Sequence, residues 1–328
     1  MDITRFGPDD VAALKEWVEL FNAVRLTDSP WEAEGTLLRA EARFRVGWDG
    51  EPSTPYLARI DGTVVGGGSI SISEYDNLHL AWIGVLVHPE HRRQGHGSAI
   101  LAFLEDEARK LGRTSVGMDG WESDATRDFA AKHGYDKKHQ AIARRQYLAD
   151  LDRDELDKRY EEALAAATDY VLERQRFPTR DADLDDLAEM ASAINDAPTD
   201  DLEIEDEVFT AERMRAYEDA CAFRRERAYR VVARHVPSGK LAGQTVVVVE
   251  SERPAYGDQH DTSVVKAHRG HRLGLLLKIE MLRWLAEEEP QLEHIETFNA
   301  ESNDHMVGVN EVLGYRIMAR ELAYQKSL

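Results

Sequence analysis

The chain has 328 residues, 62 acidic and 41 basic side chains and a formal net charge of −21, which argues against a nucleic-acid partner, since phosphate contacts need clustered cations, and favours amines instead. Its single cysteine, Cys221, excludes an internal disulfide and fits a reducing compartment. The length suits two domains of ordinary size.

Residues 10–24, DVAALKEWVELFNAV, place apolar side chains at helical spacing. The runs YLARI and TVVGGGSISIS flank Asp61-Gly62, a strong hairpin signal between β-branched stretches. HLAWIGVLV (79–87) is apolar enough for a central strand and passes into the loop HPEHRRQGHG. From Gly97 onward, Ile100, Phe103, Leu104 and Leu111 predict a helix; a strand near RTSVGMD, a helix DATRDFAAKHG and a strand near HQAIARRQYL follow. The charged stretch 150–168 is rich in helix formers and reads as a connecting helix.

The order then repeats: helix LDDLAEMASAIND, strand AYRVVARHV, turn PSGK, strand LAGQTVVVVE, a strand ending in DTSVV, loop KAHRGHRLG, helix LLLKIEMLRWLAEEE, strand HIETFN, helix NDHMVGVNEVLG and strand YRIMARELAYQ. Arg92 aligns with Arg269 at an offset of 177, and Gly134-Tyr135 corresponds to Gly314-Tyr315 three residues beyond it. This is an internal duplication, with domains at 1–150 and 169–328 joined by 151–168. The amino terminus lacks the basic start and apolar stretch of a secretion signal, and no run reaches the ~18 apolar residues of a membrane span, so a cytoplasmic protein without membrane contact is expected, as a monomer or homodimer.

Bulky cations beside glycines at a strand-to-helix junction suggest an anion cradle. A helix start leaves four backbone N–H groups unpaired, the helix dipole favours negative charge there, and glycine lets the main chain come close to a phosphate. In the first half the candidates are Arg92, Arg93, Gln94, Gly95, Gly97 and Ser98; in the second they are Arg269, Gly270, His271 and Gly274. Arg272 replaces Gly95, and the sequence leaves open whether it stands there strained at positive φ or helical and adding charge. In YGDQHDT, strand alternation places Asp258 and His260 on one face and Asp261 on the other, a base candidate flanked by carboxylates. His88, His91 and His96 crowd one loop with neither cysteine nor paired carboxylates, so no metal is expected.

The motif R-x-x-G-x-G after V-x-P, followed by helix, strand, helix and a closing Gly-Tyr before the last strand, resembles the GNAT superfamily of acyl-CoA-dependent N-acyltransferases. VHPEHRRQGHG and DFAAKHGY carry it in the first half, VVKAHRGHRLG and NDHMVGVNEVLGY in the second. The resemblance implies an α/β chain of two tandem GNAT folds, each a mixed, mostly antiparallel sheet flanked by helices, as in tandem members such as mycothiol synthase. It implies acetyl-CoA as co-substrate and the amine of a small molecule as acceptor, with backbone N–H groups near Val85–Val87 and Val264–Val265 facing the oxyanion.

The same resemblance implies catalytic groups on the strand before the loop, where His79 stands in the first half. The tyrosine that many members use as the acid for the leaving thiol is absent from both halves: four residues before the closing glycine stand Ala130 and Asn310, and Asn310 could hydrogen-bond the sulfur without protonating it. A thiol of pKa near 8.5 leaves as thiolate at small cost, whereas a primary amine near 10.4 needs a base more. The first half is the expected coenzyme site. A coenzyme-binding scaffold without catalysis is the alternative, and a third reading puts the chemistry in the second half. The acidic segments VRLTDSPWEAEG and INDAPTDDLEIED line the expected acceptor pockets and suit a basic acceptor.

Overall fold

A computed structural model describes residues 1–328. The chain forms two compact units: unit 1 is Met1–Gln140, Thr199–Asp206 and Arg320–Leu328, and unit 2 is Ala141–Pro198 and Glu207–Ala319. Relative to domains at 1–150 and 169–328 joined by 151–168, the segment Thr199–Asp206 falls in unit 1, residues 151–168 fall in unit 2, and the closing strands are exchanged. The end of the chain completes the sheet of unit 1, and the strand after residue 140 completes that of unit 2.

Unit 1 contains β1 (Asp2–Arg5), α1 (Val11–Asp28), α2 (Leu37–Arg45), β2 (Thr54–Ile60), β3 (Thr63–Ile72), β4 (Leu80–Val87), α3 (His96–Lys110), β5 (Ser115–Trp121), α4 (Asp124–Lys132) and most of the last strand, β12 (Arg316–Ser327). Its strands run β1-β2-β3-β4-β5-β12, antiparallel except for β4 beside β5. Asp61 and Gly62 take the positive φ that a tight hairpin needs, joining β2 to β3 as their sequence predicts. Asp10, Thr36 and Ser123 accept hydrogen bonds from the first turns of α1, α2 and α4, so each of these helices starts at a side-chain cap. The fully buried Ile100, Leu101 and Leu104 of α3 pack on the apolar residues of β2–β5 and β12, while Trp17 and Leu20 of α1 cover the other face with Phe44 of α2.

Unit 2 contains most of β6 (Asp136–Tyr147), then α5 (Arg153–Ala165), β7 (Tyr170–Arg176), α6 (Leu184–Ala191), α7 (Ala211–Phe223), β8 (Glu226–His235), β9 (Leu241–Glu250), β10 (Tyr256–Val264), α8 (Leu273–Glu288), β11 (His294–Ala300) and α9 (Asp304–Val312). Its strands run β6-β11-β10-β9-β8-β7, again with one parallel pair, β10 and β11. All of β9 is buried, and α8 is apolar almost all round, which makes it the central helix of this unit's core. The elements β1, α2, β7 and α7 carry no clear periodic signal in the sequence and are found only in the structure.

Candidate functional site

In unit 1, β4 and β5 pair only at Leu80–Trp82 against Ser115–Gly117. Beyond Trp82 the parallel pairing stops while β4 continues to Val87, so the backbone of 83–87 that faces β5 has no ladder partner there. At the end of that splay the chain turns through residues 88–95 into α3. Arg93 (φ 62°) and Gly95 (φ 88°) are both left-handed, and Gly95 is the residue from which α3 starts. A Cβ added at Gly95 would meet nothing within 4 Å, so space is open above the helix start. The N–H groups of His96, Gly97 and Ser98 lie in the first turn, where an α-helix supplies no acceptor. These features fit the diphosphate of a coenzyme nucleotide.

Unit 2 builds the same loop. Gly270 (φ 87°) and Arg272 (φ 56°) stand at the equivalents of Arg93 and Gly95 and are left-handed in the same places. Each loop thus holds one glycine and one arginine at its two left-handed positions, in opposite order. Arg272 is strained, at about 1–2 kcal/mol for a residue with a Cβ, and its side chain turns to Glu162. Arg92 and Arg269 also match. Arg92 bonds the Val87 carbonyl (3.2 Å) and both Asp28 oxygens (2.8 and 2.7 Å). Arg269 bonds the Val264 carbonyl (3.1 Å) and Asp196 (2.6 Å). In each unit this arginine ties the loop to an aspartate, Asp28 at the end of α1 or Asp196 just after α6, so its charge is already matched. Arg93 and Gln94 are exposed instead.

The two units differ beside the helix start. In unit 1 the Phe129 ring of α4 lies 3.3 Å from where a Cβ on Gly97 would be, and Ser98 Oγ is held by His133 (3.0 Å) and Lys132 (3.1 Å). In unit 2 nothing approaches Gly274, and a cleft of about 400 Å³ opens between α8 and α9, lined by Leu275, Asp304, His305, Gly308, Val309 and Val312.

Unit 1 places carboxylates at the mouth of its splay, beyond its last paired row, whereas the last paired row of unit 2 sets Asp258 opposite Glu296, which Arg145 already holds (2.9 Å). Asp119 of β5 and Glu321 of β12 lie on one face of the sheet, in adjacent rows of the register that pairs Asp119 with Ala323 and Trp121 with Glu321. Glu321 shares a hydrogen bond with Asp119, and burial, then the charges of Asp119 and Glu32, push its carboxyl up to about 8. The Trp82 indole donates to Asp119 (2.5 Å), and Trp121 donates to Glu32 (2.9 Å). Trp82 lies across Gly117: a Cβ there would be 2.3 Å from the indole, so the glycine admits the ring that positions Asp119. Trp31 meets Trp121 edge to face at 5.7 Å. The result is an acidic, tryptophan-walled cup built from the loop after α1 and from β4, β5 and β12. In unit 2 the corresponding rows hold Phe298 opposite Ala143 and Ala300 opposite Ala141, with no carboxylate.

Several residues singled out in the sequence lie elsewhere. His79 precedes β4 at its fully paired end, about 26 Å along the strand from Val87, with its Nε2 at 3.2 Å from the Glu203 carbonyl. Asn310 is 1% exposed, accepts a hydrogen bond from the buried Lys278 (2.8 Å) and donates to Asn299 (3.2 Å), so it is an interior partner of a lysine and has no open edge for a sulfur. On β10 the pairing with β9 slips by one residue between Gln259 and Thr262, a bulge that breaks strict alternation. His260 therefore reaches Tyr217 of α7 (2.5 Å), while Asp261 also comes within electrostatic reach of Tyr217 and Arg230. Asp258 lies nearer Glu296 and Arg253. The separation of Asp258 with His260 from Asp261 is thus corrected by the extra residue. Glu321, Asp119 and Glu32 had no local signal, since they are distant in sequence and meet only through strand pairing.

A family model described as the acetyltransferase (GNAT) family matches residues 14–135. Mycothiol acetyltransferase of Stackebrandtia nassauensis is 31% identical over 149 residues, 44% of this chain and 46% of that protein, so the match spans about half of the relative. Aminoalkylphosphonate N-acetyltransferase of Salmonella typhimurium is 35% identical over 127 residues, 34% of this chain and 80% of that protein. Among solved structures, a tandem GNAT protein from the clavulanic acid biosynthesis pathway superposes over 99% of this chain and 98% of its own, with a TM-score of 0.81 and 25% identity. A GCN5-related N-acetyltransferase from Sphaerobacter thermophilus shares the fold over 99% of this chain and 95% of its own at 15% identity, with a TM-score of 0.62. No helix is long and apolar enough to cross a membrane.

Proposed function

The chain belongs to the acetyltransferase (GNAT) family, and on that premise we propose that it transfers the acetyl group of acetyl-CoA to the amine of a small molecule, with the chemistry in unit 1. The observation that carries this reading is the coincidence in unit 1 of the Gly95 cradle with the Glu321–Asp119 carboxyl pair at the mouth of the same splay. Acetyl-CoA supplies the acyl group as a thioester. The N–H groups opening α3 hold its diphosphate, and the unladdered backbone of 83–87 offers donors to the acyl oxygen as charge develops there.

An amine of ordinary pKa arrives as ammonium. Glu32 and Asp119 attract it, the tryptophan faces cover its apolar neighbours, and Glu321 in its deprotonated form removes the proton that must leave before the nitrogen can attack. Ala130, fully buried, stands where a proton donor to the leaving thiol is usual, and the thiol departs without one.

Thiol release from acetyl-CoA across a panel of small amines tests the reading; binding of the coenzyme without turnover on any amine would favour a non-catalytic scaffold. The cleft between α8 and α9 supports a second coenzyme position in unit 2, and calorimetric titration distinguishes a stoichiometry of one from two. In the same titration Gly95→Ala is expected to weaken acetyl-CoA binding about tenfold: the new methyl meets no neighbour, so the loss comes from the left-handed backbone, at about 1–2 kcal/mol. Unchanged affinity in that variant would remove the cradle from the coenzyme site.

A further inference from the structure

Arg230 of β8 is wholly inaccessible to solvent, yet only one side of its guanidinium is used. Nη1 donates to Glu218 (2.8 Å) and to Thr179 Oγ1 (2.7 Å). Nε and Nη2 are buried and have no hydrogen-bond partner. Those two nitrogens form the side edge of the guanidinium, whose parallel N–H bonds match the two oxygens of a carboxylate. Leaving buried, charged donors unmatched costs about 1–3 kcal/mol or more, and native proteins rarely keep such groups empty.

The surroundings explain what the edge would take. Phe177 lies under the guanidinium at 4.3 Å and meets Tyr217 edge to face at 5.7 Å. Phe177, Tyr217, His260 and Asp261 each keep partial exposure, so the residues around Arg230 reach solvent although Arg230 does not. Glu218 is shared: its other oxygen accepts from Arg215 (2.8 Å) and from the Thr179 N–H (2.8 Å). Two guanidinium groups thus face one buried carboxylate, and Asp181, the further partner of Arg215, is almost fully exposed. Asp261 does not complete the fork, since it forms neither an ion pair nor a hydrogen bond with Arg230. Burial pushes its carboxyl up, against the pull of Arg230.

We propose that unit 2 holds a recognition site for a small organic carboxylate, whose two oxygens receive the Nε and Nη2 protons of Arg230 while its apolar body lies along Phe177 and Tyr217. The site is separate from the cup of unit 1 and does not depend on acetyl transfer.

The test is direct observation of the Arg230 Nε–H resonance in full-length protein labelled with ¹⁵N-arginine, during titration with sodium acetate and sodium phenylacetate. Acetamide, phenylacetamide and sodium chloride serve as controls. Saturable movement of that resonance with the carboxylates and not with the amides or chloride is expected, with slower exchange of its proton with water. Arg230→Lys keeps the charge facing Glu218 but lacks the fork, and should bind phenylacetate at least tenfold more weakly. Should that variant fail to fold, Phe177→Leu identifies the resonance through loss of the ring beneath it. A resonance indifferent to both carboxylates, or moved equally by the amides, overturns the proposal.

Discussion

Glu321→Gln is expected to lower kcat by about 10²–10³ while leaving the affinity for acetyl-CoA unchanged, because it removes the base and nothing that touches the cradle. Glutamine preserves the shape, and its amide can still donate to Asp119. Two pH dependences separate this result from damage to the fold. A base works when deprotonated, so wild-type kcat/KM should rise with pH through about 8 and be lost as pH falls below it, whereas the variant should lack that rise. Stability moves the opposite way. A carboxyl raised from 4.5 in the unfolded chain to about 8 in the native one binds more protons in the native state across that window, so its contribution to stability falls as pH increases between the two values. The variant should therefore be more stable than wild type at pH 8 and less active. Full activity in Glu321→Gln, with an unchanged pH profile, would remove the carboxyl pair from the mechanism.

What the sequence made legible follows the range of the interactions involved. The Asp61-Gly62 hairpin, the helices α1 and α4, the central strand before residue 88 and the helix after Gly95 are set by neighbours in the chain, and each is found where its pattern places it. Leu37–Arg45 and Ala211–Phe223 are short helices with charges interleaved among few apolar residues, so their periodicity is weak, and packing against α1 and α6 decides them. The closing strands are illegible for a different reason. HQAIARRQYL and YRIMARELAYQ both carry alternating apolar residues behind a Gly-Tyr turn or its equivalent, and either pattern fits the slot beside a parallel strand. Since the chain end fills that slot in unit 1, Glu321 meets Asp119 across 202 residues of sequence, whereas the local pattern points to His79. The loop arginines add a feature that the sequence does not carry: Arg92 and Arg269, read beside glycines at a helix start as phosphate ligands, also bond Asp28 and Asp196, partners 64 and 73 residues away.

The second large effect is on stability and comes from α8. Lys278 is buried at 2% exposure in the core of unit 2, with one hydrogen bond to Asn310 (2.8 Å) and its ammonium 4.8 Å from the centre of the Tyr315 ring. No carboxylate is paired with it, and burial lowers its pKa from 10.5 to about 7. Below pH 7 the lysine is protonated in both states and adds no pH dependence. Between 7 and 10.5 the unfolded chain holds the proton and the native one does not, so rising pH favours the native state by up to about 1.4 kcal/mol per pH unit from this group. Lys278→Met keeps the volume and removes the titration. In urea unfolding at pH 7.5 and 9.5, the stability of the variant relative to wild type should therefore fall by about 2–3 kcal/mol between the two conditions. At pH 7.5 the methionine variant should equal or exceed wild type, since folding the wild type there means stripping the proton from a lysine that holds it in the unfolded chain, whereas methionine loses only one hydrogen bond to Asn310. Equal pH dependence in the two proteins would mean that the native state gives Lys278 a counter-charge or water that keeps its pKa ordinary.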